Sequence, residues 1–258
     1  MPKFIINVSV MNLYNEPAFR SEVVTQGLLG ESNEIIDRSG NWYKVRQWDG
    51  YEAWGHGFYG VTHENSYSTS HTFFGHHGQI LDQDGHLVRS IHFGSSLNAQ
   101  GHDDHFHVSL PDGIVGTTHE SLSAENLSLS RQSIVEMAKS FSGIPYAWGG
   151  KSSMGVDCSG FVQSVFKAHG IELPRDSHEQ SDHFKDVIDL EQCQLGDLLF
   201  FAEEDKISHV AISLGGKELI NARGWVRNES LDGSHEDFSQ KLKNLFVKAV
   251  SIRSIVGD

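Results

Sequence analysis

Cysteine is nearly absent: Cys158 and Cys193 are the two thiols in 258 residues. They could pair with each other, but in a chain of this size with no sign of export, free thiols are the expectation. The amino terminus, Met1-Pro2-Lys3-Phe4-Ile5-Ile6-Asn7-Val8, lacks the basic start, apolar core and small-residue cleavage site of a secretory signal. No apolar run has the length of a membrane span. A cytoplasmic location follows as an expectation. Positive charge is scarce as well, with 20 Lys and Arg against 34 Asp and Glu and a formal charge of −14. Nucleic acid and anionic membranes are bound largely by neutralising phosphates, so neither is an expected partner.

What is present suits a folded chain of several modules. Its 38% apolar content is enough for real cores, and 258 residues exceed one typical domain. Residues 1–60 read as short strands joined by glycine turns. Ser21 to Gln26 and Glu34 to Asp37 precede a turn at Ser39-Gly40-Asn41, then Trp42 to Arg46, a turn at Asp49-Gly50, and Tyr51 to Trp54. Closely spaced strands of this kind imply a small barrel. Residues 61–122 repeat the pattern more faintly, with Gln79 to Asp82, His86 to Ile91 and His105 to Leu110 as strands, and a second, degenerate barrel is expected there. Small polar residues around 117–132 mark a boundary. From 123 to 258 the pattern changes. Ser130 is placed to cap a helix over Arg131 to Ser140, a second helix starts at Cys158, and strands follow at Leu198 to Phe201, His209 to Leu214, Glu218 to Ala222 and Val247 to Val250. Helices followed by an antiparallel sheet make this module α+β.

The stretch Gly155-Val156-Asp157-Cys158-Ser159-Gly160-Phe161-Val162 carries the chemistry. Phe161, Val162, Val165 and Phe166 recur with helical spacing, so Cys158 falls in a first helical turn. Unpaired N–H groups and the positive end of the helix dipole favour thiolate there, as a nucleophile requires. A small buried hydrophobe is the bland reading of the same residue. A nucleophilic thiol needs a base, and the base needs an orienting partner. His209 opens an apolar strand, and Asn221 follows in the next strand after Gly215-Gly216. Asn221 could hold one ring nitrogen and leave the other for the thiol, as in papain-like Cys-His-Asn sites. Cys193 is taken as structural.

Histidines also gather in the second module, at His76, His77, His102, His105 and His107, beside Asp103 and Asp104. His105 and His107 share a strand face, but no third ligand stands at a spacing typical of zinc sites. Solvated or packing histidines are expected, and no metal or organic cofactor.

These motifs resemble known families. Residues 23–55, VVTQGLLGESNEIIDRSGNWYKVRQWDGYEAWG, resemble a bacterial SH3-like domain. Gly143-Ile144-Pro145-Tyr146-Ala147-Trp148-Gly149-Gly150, the Asp157 to Val162 core, Leu195-Gly196-Asp197-Leu198-Leu199-Phe200-Phe201 and Ser208-His209-Val210-Ala211-Ile212 resemble the NlpC/P60 cell-wall peptidases. The fold implied is two small all-β SH3-like barrels followed by an α+β papain-like peptidase domain. The resemblance assigns Cys158 as nucleophile, His209 as base and the third position to Asn221, where the family often has histidine.

Leu173-Pro174-Arg175-Asp176-Ser177 and Gly224-Trp225-Val226-Arg227 are similar to the branch that cleaves γ-D-glutamyl-L-diamino acid bonds. In that branch Asp176 pairs with the free amine of an N-terminal L-alanine, and Tyr146, Asp157, Ser159 and Ser177 line the same end of the groove. An acidic residue of the first barrel helps hold the amine, which here would be Glu52. The implied substrate is a murein tripeptide or tetrapeptide, degraded or recycled. The alternative is a catalytically inactive protein that binds wall peptide or a partner. Asp176 has a plainer reading as a helix cap, Tyr146 as core packing, and Glu52 as an ion-pair partner.

Overall fold

Glycine turns set the first hairpins. In the computed structural model, which describes residues 2–257, Gly40 (φ 58°) and Asn41 form the two-residue turn between paired Ser39 and Trp42, and Gly50 (φ 82°) turns the chain before Tyr51. Asp49 accepts the Tyr51 N–H at 3.0 Å, which fixes that turn locally. Both turns are where the sequence places them.

The chain divides into two units, Met1–Asn126 and Leu127–Asp258. The first holds two sheets. One contains β1 (Lys3–Ile6), β2 (Val10–Tyr14), β3 (Val23–Leu28), β4 (Ser32–Ser39), β5 (Trp42–Arg46), β6 (Glu52–His56) and β7 (Gly60–His63), in the order β3-β2-β6-β5-β4-β1-β7. Phe4, Ile6, Met11, Leu13, Val45 and Ala53 form its core. The strand β1 was not read from the sequence. Phe4, Ile5 and Ile6 are all buried, so the alternation that reveals a half-exposed strand is missing.

The other sheet contains β8 (His71–Phe73), β9 (His77–Leu81), β10 (Leu87–His92), β11 (Ser96–Gly101), β12 (Phe106–Ser109), β13 (Val115–Thr118) and β14 (Leu122–Ser123). Its order is β10-β9-β13-β12-β11-β8-β14, around Leu29, Phe73, Ile80, Ile91, Leu97 and Val108. Hydrogen-bonded order in both sheets runs from edge to edge, so neither is a closed barrel.

The second unit starts with α1 (Arg131–Ser140), whose first turn is capped by Ser130 Oγ accepting from the Ser133 N–H at 3.1 Å. Ile134, Val135 and Ala138 bury its inner face. A short ribbon of β15 (Lys151–Ser152) and β16 (Gly155–Val156) leads into α2 (Cys158–Ala168), and α3 (Ser177–His183) follows. A six-stranded antiparallel sheet then forms from β17 (Val187–Ile188), β18 (Leu195–Glu203), β19 (Lys206–Gly215), β20 (Glu218–Arg223), β21 (Trp225–Ser230) and β22 (Phe246–Val250). Its order is β17-β22-β18-β19-β20-β21. On α2, Phe161, Val162, Val165 and Phe166 are fully buried, and α2 packs against β19 and β20. The helix start tolerates only glycine at position 160, because a Cβ there would lie 2.1 Å from the Gly150 carbonyl oxygen. Among the described residues, no helix is long and apolar enough to cross a membrane.

Removing the α1 cap with Ser130→Ala is expected to cost about 1 kcal/mol. A denaturant midpoint shifted with unchanged slope, read by helical circular dichroism, would check it.

Candidate active site

The candidate nucleophile is placed by a cap. Asp157, the N-cap of α2, accepts from the Gly160 N–H at 2.7 Å, which ends the chain's extended approach and makes Cys158 the first helical residue. Arg175 clamps that carboxylate from the far side, with Nη2 2.6 Å from Oδ2 and Nη1 3.1 Å from Oδ1, and Nη1 also donates to Ser159 Oγ at 2.9 Å. Arg175, Asp157 and Ser159 are all buried. Two residues expected at the substrate end of the groove thus hold each other through an arginine that the sequence reading passed over.

Cys158 Sγ sits against β19, 3.9 Å from the Ser208 carbonyl and receiving the Val210 N–H, so the backbone on both sides of His209 faces the thiol. His209 Nε2 lies 2.9 Å from Asn221 Oδ1. Asn221 Nδ2 donates to Glu229 Oε2 at 3.0 Å and to the Arg227 carbonyl at 3.4 Å. With the amide nitrogen committed to a carboxylate and a carbonyl, the amide oxygen must face the imidazole. His209 therefore donates from Nε2, and Nδ1 carries the lone pair. The structure joins His209 to Asn221, which is buried, and sets Cys158 against the backbone on either side of His209.

Glu229 was missed in the sequence. It is buried and is bound by Arg223, through Nη2 and through Nε at 3.2 Å, and by Arg227 at 3.4 Å. Strand register could have found it. The β20–β21 pairs Asn221↔Arg227 and Leu219↔Glu229 put Asn221, Arg223, Arg227 and Glu229 on one face. In the sequence Gly224 to Arg227 stands out as a motif, whereas the strand that carries it on to Ser230 is evident only in the structure.

Charge at the site departs from the sequence expectation. Burial, reinforced by the Asp157 carboxylate, pushes the Cys158 thiol up to about 11, against the hydrogen bonds it receives. Burial likewise lowers His209 to about 4, opposing the Asn221 bond, while Arg223 offsets the help of Glu229. The first-turn N–H groups do not outweigh desolvation, so the resting pair is neutral thiol and neutral imidazole.

The remaining candidates fall as follows. Tyr146 is half-buried, and burial raises its phenol further than usual, aided by nearby Cys158 and Asp157. Asp176 stands at the N-cap of α3 but makes no side-chain cap bond, which removes the plainer reading of it. Burial raises its carboxyl, with Arg175 opposing. Ser177 is buried at the first position of α3. Glu52 lies in the first unit on β6, ion-paired to Lys44 at 3.0 Å and Arg46 at 2.8 Å, as its plainer reading has it. Cys193 is free and buried, and its thiol is pushed up to about 12 by burial.

A cysteine at a helix start, lying against the backbone that flanks a strand histidine whose Nε2 is held by an amide, is an arrangement compatible with a papain-like thiol hydrolase. The chain belongs to the NlpC/P60 family of cysteine peptidases, whose profile matches residues 143–243, and a bacterial SH3 domain matches residues 9–59. It is 30% identical over 234 residues to a γ-D-glutamyl-L-lysine dipeptidyl-peptidase of Bacillus cereus, spanning 78% of this chain and 68% of that protein. It is 27% identical over 262 residues to dipeptidyl-peptidase 6 of Lysinibacillus sphaericus, covering 92% of this chain and 95% of that one. In fold it matches the crystal structure of an NlpC/P60 family protein from Bacillus cereus, with a TM-score of 0.84 at 22% identity over 96% of this chain and 99% of that one.

Arg175→Ala would leave the Asp157 carboxylate buried and unpaired. A loss of about 3–5 kcal/mol in unfolding free energy is expected. Arg175→Met refills the volume without the charge, so it should cost nearly as much as Arg175→Ala; a Met variant close to wild type in chemical denaturation would show that packing, and not the ion pair, is what the site rests on.

Proposed function

We propose that this chain cleaves the bond between γ-D-glutamate and an L-diamino acid in short murein peptides that carry a free N-terminal L-alanine. The observation that supports it most is Asp176, a half-buried carboxylate beside the Cys158–Arg175 cluster that is not used as a helix cap. A substrate ammonium would give it a partner, and a substrate without one would leave it unpaired. Tyr146, Asp157, Ser159 and Ser177 would shape that end of the groove, with Asp157 and Ser159 acting through Arg175. Glu52 is the weaker candidate, because two cations already neutralise it. We take the second sheet of the first unit as a degenerate, open SH3-like domain and the second unit as an α+β papain-like domain. Released peptides with free amines suit degradation or recycling in the cytoplasm.

In the proposed cycle, Cys158 Sγ attacks the γ-carbonyl carbon while its proton passes to His209 Nδ1. The oxyanion takes the Cys158 backbone N–H, one of the helix-start groups without an intrahelical acceptor. The C–N bond breaks as His209 returns the proton to the leaving amine, giving a thioester. Water, deprotonated by His209, hydrolyses it and restores the thiol. Asn221 holds the imidazolium in orientation, and Glu229 holds Asn221. Each turnover begins from the neutral pair, so proton transfer accompanies attack.

Hydrolysis of L-Ala-γ-D-Glu-L-Lys, or its diaminopimelate counterpart, and of the same peptide acetylated at the amine tests the assignment. The acetylated peptide is expected to fall by at least about a hundredfold in kcat/KM. Equal cleavage of both would remove Asp176 from amine recognition, binding of the free peptide without cleavage would leave a binding protein, and undiminished hydrolysis by Cys158→Ala would mean the nucleophile is another residue.

The pH profile follows from the same groups. His209 must be neutral to accept the thiol proton, and it is protonated only as pH falls towards about 4. Asp176 must be ionised, and its raised carboxyl moves the acid limb upward. On the basic side the substrate ammonium loses its proton near pH 8, roughly. A bell in kcat/KM is therefore expected, and Asp176→Asn should abolish its basic limb. A basic limb unchanged in that variant would contradict the pairing.

A further inference from the structure

Four histidines of the first unit meet on one sheet face. The β11–β12 register pairs Gln100 with His107 and Gly101 with Phe106, and the β12–β13 register pairs Phe106 with Thr118 and His107 with Thr117. One step further out, the His102 N–H donates to the His105 carbonyl at 2.8 Å across the Asp103-Asp104 turn, and His119 follows Thr118 on the third strand. His102, His105 and His119 thus form a cross-strand row, with His107 two residues along on the face of His105. The rings meet accordingly. Centroids are 5.3 Å apart for His102–His105, 4.4 Å for His102–His107, 4.9 Å for His105–His107 and 5.8 Å for His105–His119.

The hydrogen bonds sort the nitrogens. His105 Nδ1 is 2.9 Å from Asp104 Oδ1, and His119 Nδ1 is 3.0 Å from the Asp104 carbonyl oxygen. An N–H donated from Nδ1 to a carboxylate or a carbonyl puts the lone pair on Nε2, the outer-sphere arrangement of metal-bound histidine. Phe106, between His105 and His107, points to the other side, where it packs on the core of the sheet. The histidines themselves are exposed or only half-buried, so packing gives little reason for three mutually touching imidazoles.

We propose that His102, His105 and His107, with His119 as a fourth ligand, bind a borderline divalent cation of the Zn²⁺ class. Imidazole nitrogen suits Zn²⁺, Ni²⁺ and Cu²⁺, whereas Ca²⁺ and Mg²⁺ demand oxygen. Spacing along the sequence shows only the His105–His107 pair; the third and fourth ligands come from neighbouring strands. The present rotamers do not converge on one point, so binding requires these side chains to rotate, a fast motion for exposed rings. The described residues whose ligand atoms do already lie within 4.8 Å of one another are Asp82, Asp84 and His86. There the Asp82 carboxylate accepts the Asp84 and His86 N–H groups at 2.9 Å each, which accounts for the cluster as a turn.

Calorimetric titration of the reduced full chain with ZnCl₂ tests this, with His105→Gln/His107→Gln, Cys158→Ala and Asp82→Asn run beside it. One Zn²⁺ per chain is expected, kept by Cys158→Ala and Asp82→Asn and weakened at least about tenfold in the histidine variant. A circular dichroism spectrum and thermal transition like those of the wild type would show that the histidine variant is folded. The proposal is overturned if that variant titrates like the wild type, if binding disappears in Cys158→Ala instead, or if no binding is seen at about 100 μM Zn²⁺, well above the range of a multi-imidazole site.

Discussion

The peptidase unit depends on one ion pair taken out of water. Asp157 is at once the cap that starts α2, the acceptor of the Gly160 N–H and the partner of Arg175. Arg175 in turn reaches Ser159 and immediately precedes Asp176. A pair this deeply buried repays its desolvation only with good geometry and well-made hydrogen bonds, and here both terminal guanidinium nitrogens and both carboxylate oxygens are used. The positions of the proposed nucleophile and of the proposed amine-binding carboxylate are therefore set by one interaction.

A second chain of contacts runs from the imidazole outward, through Asn221 to Glu229 and its two arginines. An asparagine stabilises an imidazolium less than a carboxylate would, and the carboxylate stands one residue further back. Arg223 and Arg227 neutralise much of its charge, so what Glu229 supplies to His209 is orientation more than field. This agrees with an imidazole that burial keeps neutral.

Much of this was legible in the chain. The Cys158 helix, the Ser130 cap, the His209 strand and the Asn221 hairpin each carry a local signature, and the structure has all four. What could not be read is what depends on register or on long-range burial. Arg175 looks like any loop arginine until Asp157 is opposite it. Glu229 needs the β20–β21 pairing, and His119 needs the β12–β13 pairing to reach His105. The expectation of a thiolate failed for the same reason. A helix start is visible in sequence, whereas the desolvation that outweighs it is a property of the whole fold.

The neutral resting pair also bears on oxidative damage. Peroxide attacks thiolate far faster than thiol, and the ladder from sulfenic to sulfonic acid begins with that step. A Cys158 thiol held up to about 11 is almost wholly protonated at neutral pH, so the resting protein would keep this sulfur in its less readily oxidised form.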